Sequence, residues 1–306
     1  MRIGFAGTPN VAANVLSSLI EKNWNIVLVI TKPDIAQGRG KRIMQSPVSQ
    51  VAEAHGIELI KPSDLNDSDL AQSLIDKNLD LIIVIAYGKL IPVSLLTVTK
   101  YGWFNLHFSL LPKYRGAAPV QHALKNGETE SGITLFKIDA GMDTGPIWHQ
   151  KKYQIKPEDD ALSMLNSLAE LGSELINESL SELVSGNLTL IPQQEINVSY
   201  AGKIDASLAR INWNESANSI SNLIRACAAG PIAFTEFNSN RFAIHEVEIL
   251  NENNLRPGEI ARINKSIRVG SGTMDLELKR VQPSGKNILK ATEWFNGVRE
   301  ENPQFT

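Results

Sequence analysis

The run "LDLIIVIA", residues 79–86, is the most continuous stretch of β-branched and apolar residues in the chain. A strand with no polar position has both faces covered, which is the setting of an inner strand in a parallel sheet. Shorter runs of the same kind precede it: "RIGFAG" (2–7), "IVLVIT" (26–31) and "IELI" (57–60). Helical patterns separate them. After Pro9, which suits a helix start, Val11, Val15, Leu16, Leu19 and Ile20 form one apolar stripe, and residues 64–77 follow the third run as a second helix. Strands alternating with helices predict βαβ units and a doubly wound, mostly parallel sheet.

Further strands are predicted at "GITLFKID" (132–139) and "IWHQKKYQI" (147–155), then a helix over 157–186. Periodicity ends at Gly186. The expected organisation is a catalytic α/β domain over 1–186, an extended linker over 187–206 and a second domain over 207–306. That second domain opens with a helix and continues as short alternating runs such as "RFAIHEVEIL" and "TMDLELKRVQ", the pattern of a small β-barrel.

Composition excludes several classes. The 306 residues carry a net charge of −3, which argues against a general polyanion binder. The single cysteine, Cys227, excludes an intrachain disulfide and a cysteine-based zinc cluster, and points to a reducing cytoplasm. No apolar run is long enough to span a bilayer, and the first residues do not form a signal peptide, so no membrane partner is expected. His55, His122, His149 and His245 lack metal-ligand spacing, so no metal is expected either. One local basic patch stands out: Lys32, Arg39, Lys41 and Arg42 oppose only Asp34 in a Gly-rich loop over 32–47. Loops of that length in compact α/β domains are usually functional or disordered.

The chemistry concentrates in "NLHFSLLPKYRGAAP", residues 105–119. Side chains two apart share a strand face, so Asn105, His107 and Ser109 are expected to point one way and Phe104, Leu106 and Phe108 the other. Ligands of open α/β sheets bind at the carboxyl ends of strands, where this polar face falls. A second polar turn, "DAGMDTGPI", holds Asp139 and Asp143. Asp139 suits an Asx turn; Asp143 is the better candidate to reach His107, where a carboxylate steadies the charged imidazole. No GxSxG elbow surrounds Ser109, so a direct transfer is expected, with His107 moving a proton and Asn105 helping to hold an oxyanion.

"NLHFSLLPKYRGAAPVQHAL" with "DAGMDTGPI" resembles the formyltransferases that use formyl-tetrahydrofolate. "RIGFAGTP", "TKPDIAQGRGKRIMQSPV", "VIAYGKLIP", "YAGKI", "ARINW" and "LIRAC" narrow the resemblance to the methionyl-tRNA formyltransferases, over residues 2 to about 294. The resemblance implies a Rossmann-like first domain and an OB-like β-barrel second domain. It implies that 10-formyltetrahydrofolate donates a formyl group to the amine of initiator methionyl-tRNA. By residue match, Asn105, His107 and Asp143 fall on the catalytic trio. Ser109, Leu110, Leu111 and Pro112 fall on the folate-contacting stretch, and Ala86, Tyr87, Gly88, Lys89, Leu90 and Ile91 on the segment lining the pterin pocket. Arg39, Lys41 and Arg42 fall on the loop that reads the acceptor end of the tRNA. A monomer is expected.

The sequence departs from the family pattern at "RACAAGPIAF", at Gly202 where proline is usual, and at Asn10. Altered interdomain or barrel packing is expected from the first and a looser linker from the second. A glycinamide ribonucleotide formyltransferase would end near residue 200, and a sugar-nucleotide formyltransferase should lack the "GRGKR" loop. A formyl-folate hydrolase would share the strand, and a non-catalytic RNA-binding module would not need the trio.

Overall fold

The computed structural model describes residues 1–37 and 42–306. In chain order the first part comprises β1 (Ile3–Gly7), α1 (Asn10–Glu21), β2 (Ile26–Ile30), β3 (Ile35–Gln37), β4 (Arg42–Met44), α2 (Pro47–Ala54), β5 (Glu58–Ile60), α3 (Ser68–Asp76) and β6 (Leu81–Ile85). It continues through β7 (Gly102–His107), α4 (Pro119–Lys125), β8 (Glu130–Lys137), β9 (Ile147–Gln154) and α5 (Ala161–Val184). Seven strands form one sheet in the order β5-β2-β1-β6-β7-β8-β9. The first five are parallel, while β8 and β9 run antiparallel to their neighbours. This is the expected doubly wound, mostly parallel sheet.

Local chemistry sets the helix limits. Asp67 caps α3 by accepting from the Asp69 amide, and Asp64 is already engaged by the Asn66 amide. The helix therefore starts at Ser68, four residues later than its apolar pattern predicts. Asp160 accepts from the amides of Leu162 and Ser163 and starts α5 in the same way, after Pro157. Within the stretch 32–47, β3 and β4 pair antiparallel, Ile35 opposite Met44.

β1 and β6 lie side by side, but the chain leaves β1 toward β2 and leaves β6 toward β7. Crossovers that diverge from neighbouring strands leave a crevice at the carboxyl edge of the sheet. Gly7, the last residue of β1, admits no side chain there, since a Cβ would stand 2.7 Å from that of Ala12 and 2.9 Å from the Ile85 carbonyl oxygen. Beneath the edge, Ala6, Leu28, Ile30, Ile82, Val84 and Trp103 belong to one apolar core.

The chain divides into two units, one of residues 1–117, 130–154 and 165–201, the other of 118–129, 155–164 and 202–306. The second unit contains α6 (Ala217–Ala226), β10 (Phe234–Phe237), β11 (Asn240–Ile249), β12 (Ile260–Ile263), β13 (Ser266–Val269), β14 (Leu276–Pro283), β15 (Leu289–Lys290) and α7 (Ala291–Phe295). Its antiparallel sheet runs β10-β11-β14-β13-β12, with β15 added beside β14. The register of β11 slips on either side of Glu246, and such bulges bend a strand and help a sheet curl.

Residues 303–306 bridge the two edges of this sheet. The Ile260 amide donates to the Pro303 carbonyl and the Phe305 amide to that of Gly258, while Glu236 and Thr306 exchange amide–carbonyl bonds at 3.1 Å. The barrel is closed in this way, which removes free strand edges. Phe305, fully buried, stacks on Trp213 with ring centres 5.3 Å apart and lies 5.1 Å from Phe242. Phe305→Ala is therefore expected to destabilise the protein by about 3–5 kcal/mol. Denaturant unfolding followed by tryptophan fluorescence checks this, and an unchanged midpoint would mean that the Phe305 ring does not anchor the segment.

Candidate functional site

β7 carries the central residues. Asn105 and His107 are two apart and share a face, with Asn105 opposite Val84 of β6 on one side and Phe136 of β8 on the other. The strand ends at His107, so alternation does not reach Ser109. The buried Ser109 hydroxyl instead donates to the Lys113 carbonyl, closing the loop that follows.

His107 is 5% exposed. Its Nε2 lies 2.8 Å from the Tyr114 carbonyl oxygen, which can only accept, so the ring proton of the neutral imidazole is on Nε2. Nδ1 is left with a lone pair, 3.7 Å from Asp143 Oδ2. That carboxylate oxygen accepts the Gly116 amide at 2.8 Å. Burial pushes the His107 pKa below its ordinary value, while the Asp143 charge and the Tyr114 carbonyl oppose the shift. The ring is thus a base when neutral; when it is charged, Nε2–H keeps its bond to the Tyr114 carbonyl and the Asp143 carboxylate stands at ion-pair distance from Nδ1.

Asp139 does not join the pair. Its Oδ1 accepts from the Gly141 amide at 3.0 Å and the Thr144 hydroxyl at 2.7 Å, the bonding of an Asx turn.

The loop after β7 is held from below by side chains with no motif of their own. Thr134, fully buried, donates to the Ser109 carbonyl and accepts the Leu111 amide. Gln150 donates to the Leu111 carbonyl and to the Thr134 hydroxyl. Leu111 is buried, and Leu110 packs on Gly132, where a Cβ would meet it at 2.6 Å. Of Ser109, Leu110, Leu111 and Pro112, only Leu110 and Pro112 keep part of their surface open. The Tyr114 carbonyl and Gly116 amide had one sequence signal, the glycine in "YRGAAP". Gly116 has φ 119°, and a Cβ there would stand 2.7 Å from the Ala201 carbonyl oxygen.

The neighbouring turn after β6 brings its residues to the same edge. Ala86 and Gly88 take left-handed backbone, φ 46° and 68°, and both are exposed. Between them Tyr87 turns into the core, where burial pushes its phenol up to about 12 and its hydroxyl has no hydrogen-bond partner among the described residues. Lys89 is tied to the carbonyls of Pro62 and Ser63. Leu90 is 82% exposed and Ile91 half-buried. Arg39 and Lys41 lie outside the described residues, and Arg42 is the first residue of β4. The β3–β4 pair leaves Ile35, Ile43 and Met44 exposed. Among the described residues, no group of three or more His, Cys, Asp or Glu is placed to hold a metal ion, and no helix is long and apolar enough to cross a membrane.

Comparison with known proteins places this arrangement. Residues 1–180 match the family described as formyl transferase, and residues 203–299 match formyl transferase, C-terminal domain. The methionyl-tRNA formyltransferase of Rhodococcus erythropolis is 39% identical over 300 residues, covering 98% of this chain and 97% of the relative. That of Corynebacterium diphtheriae is 40% identical over 304 residues, with coverage of 98% and 97%. Among solved structures, an N-formyltransferase from Helicobacter canadensis in complex with folinic acid and dTDP-3-aminofucose superposes with a TM-score of 0.69. It is 22% identical and covers 92% of this chain and 98% of its own, a likeness of fold. Matching relatives of one kind along nearly its whole length, the chain belongs to the methionyl-tRNA formyltransferase family.

Proposed function

We propose that the chain transfers the formyl group of 10-formyltetrahydrofolate to the free amine of initiator methionyl-tRNA. The observation that carries the chemistry is the His107 ring, whose Nε2 proton is committed to the Tyr114 carbonyl and whose Nδ1 faces Asp143. The full-length likeness to methionyl-tRNA formyltransferases supports the choice of acceptor.

Attack of an amine on a formyl carbon gathers negative charge on oxygen and leaves a surplus proton on nitrogen. In this reading His107 Nδ1 takes the proton, and Asp143 steadies the resulting imidazolium. The Asn105 amide, on the same strand face, donates to the charged oxygen. The exposed Ala86, Gly88 and Leu90, on the turn beside β7, supply backbone edges and apolar surface suited to a flat, polar-edged ring. Leu110 and Pro112 extend that surface. The buried Ser109 and Leu111 act by shaping the loop. Arg39, Lys41 and Arg42 grip the single-stranded acceptor end and its phosphates. The single cysteine, Cys227, is buried and free, as suits a reducing cytoplasm, and the reading is of a monomer there.

His107→Ala should lower kcat for formyl transfer at least about a hundredfold while folate affinity, read by calorimetry, stays close to wild type. Strong residual turnover would contradict the proton-transfer role. The neutral ring is the competent form, so the rate should fall on acidification, with a midpoint below the ordinary imidazole value. Asp143→Asn removes the charge that opposes this depression, so its residual activity should show the acid limb at lower pH still. A limb displaced upward would overturn the pairing. Arg39→Ala should raise KM for methionyl-tRNA roughly tenfold, worth about 1.4 kcal/mol, and flatten the salt dependence with folate binding unaffected. An unchanged salt slope would mean the loop is merely solvated.

A further inference from the structure

Residues 191–195, "IPQQE", sit in the stretch between the two matched family segments and carry no motif. Ile191 is bonded to Ile147 through both backbone groups, at 2.7 and 2.8 Å. Further on, the Arg115 amide donates to the Ser199 carbonyl and the Ala201 amide to the Arg115 carbonyl, a short parallel bridge. Between these anchors Pro192, Gln194, Glu195 and Ile196 are exposed, whereas Gln193 is turned inward.

The Gln193 amide uses its full bonding capacity. Nε2 donates to the Asp143 carbonyl at 2.8 Å and the Gly145 carbonyl at 2.9 Å. Oε1 accepts from Arg115 Nη2 at 2.8 Å and Nε at 3.2 Å. Arg115 is itself 2% exposed. Asp143 stands in left-handed backbone, φ 52°, which costs a residue with a side chain some strain even where aspartate tolerates it. Two carbonyls of that turn are held by one side-chain amide, and the amide is oriented by a buried guanidinium.

We propose that Gln193 is a positioning residue for formyl transfer: it fixes the 143–145 backbone so that the Asp143 carboxylate faces His107. The proposal rests on the His107–Asp143 reading given above. Gln193→Met keeps the length of the side chain and loses its polar groups. Gln193→Glu keeps an acceptor for Arg115 but presents no N–H to the two carbonyls.

The test is steady-state formylation of methionyl-tRNA by the full chain carrying Gln193→Met, Gln193→Glu, Asp143→Asn, or Gln193→Met with Asp143→Asn. Both single Gln193 variants should lose between about tenfold and a hundredfold in kcat, the range for a displaced catalytic group. KM for tRNA and folate should hold within about twofold, a split that general loosening of the fold would not produce. In the Asp143→Asn background, Gln193→Met should cause no further loss. Wild-type kcat in Gln193→Met, wild-type kcat in Gln193→Glu, or losses that multiply in the double variant would each overturn the proposal. Wild-type kcat in Asp143→Asn alone would instead sink the reading of the pair on which it rests.

Discussion

A carbonyl oxygen has no proton to give, and the one on Tyr114 sits 2.8 Å from His107 Nε2. That contact decides which ring nitrogen carries hydrogen, which faces Asp143, and which way the imidazole acts. It places a demand on the backbone, because the loop after β7 must return its own carbonyl to the strand it has just left. Ser109, Thr134 and Gln150 meet that demand with bonds to the carbonyls and amides of residues 109–113. Three consecutive residues then serve three partners. The Tyr114 carbonyl holds the imidazole, the Arg115 side chain holds Gln193, and the Gly116 amide holds the Asp143 carboxylate. The three contacts therefore share one short stretch of backbone.

Much of this was legible in the amino-acid order, and the reasons differ by element. The inner strands were readable because a two-faced burial leaves no room for polar residues, as in Leu81–Ile85. Asn105 and His107 stood out for the opposite reason, as polar positions repeating every second residue in an apolar run. The same alternation misplaced Ser109, since a pattern of two does not announce where a strand stops. The β3–β4 pair was hidden in a glycine-rich, charged loop, because six paired residues carry too little periodicity to register against their neighbours.

Gln193 and residues 303–306 were illegible for a deeper reason. A polar stretch such as "IPQQE" has the composition of solvated chain, and only the fold reveals that one of its amides faces two carbonyls. The segment closing the barrel likewise acts through backbone groups, which every residue possesses. Side-chain identity carries little information about such contacts, and the packing of Phe305 on Trp213 became visible only in the fold.

The bond from the Gly116 amide to Asp143 has an experimental corollary. That proton is shielded only while the turn at 143 and the loop at 116 stay together, both belonging to the same unit of the chain. Its exchange with deuterated solvent therefore clocks the opening of the acid–base pair independently of global unfolding. One resonance in an NMR spectrum becomes a gauge of how often the site comes apart, readable without substrate and before any turnover is measured.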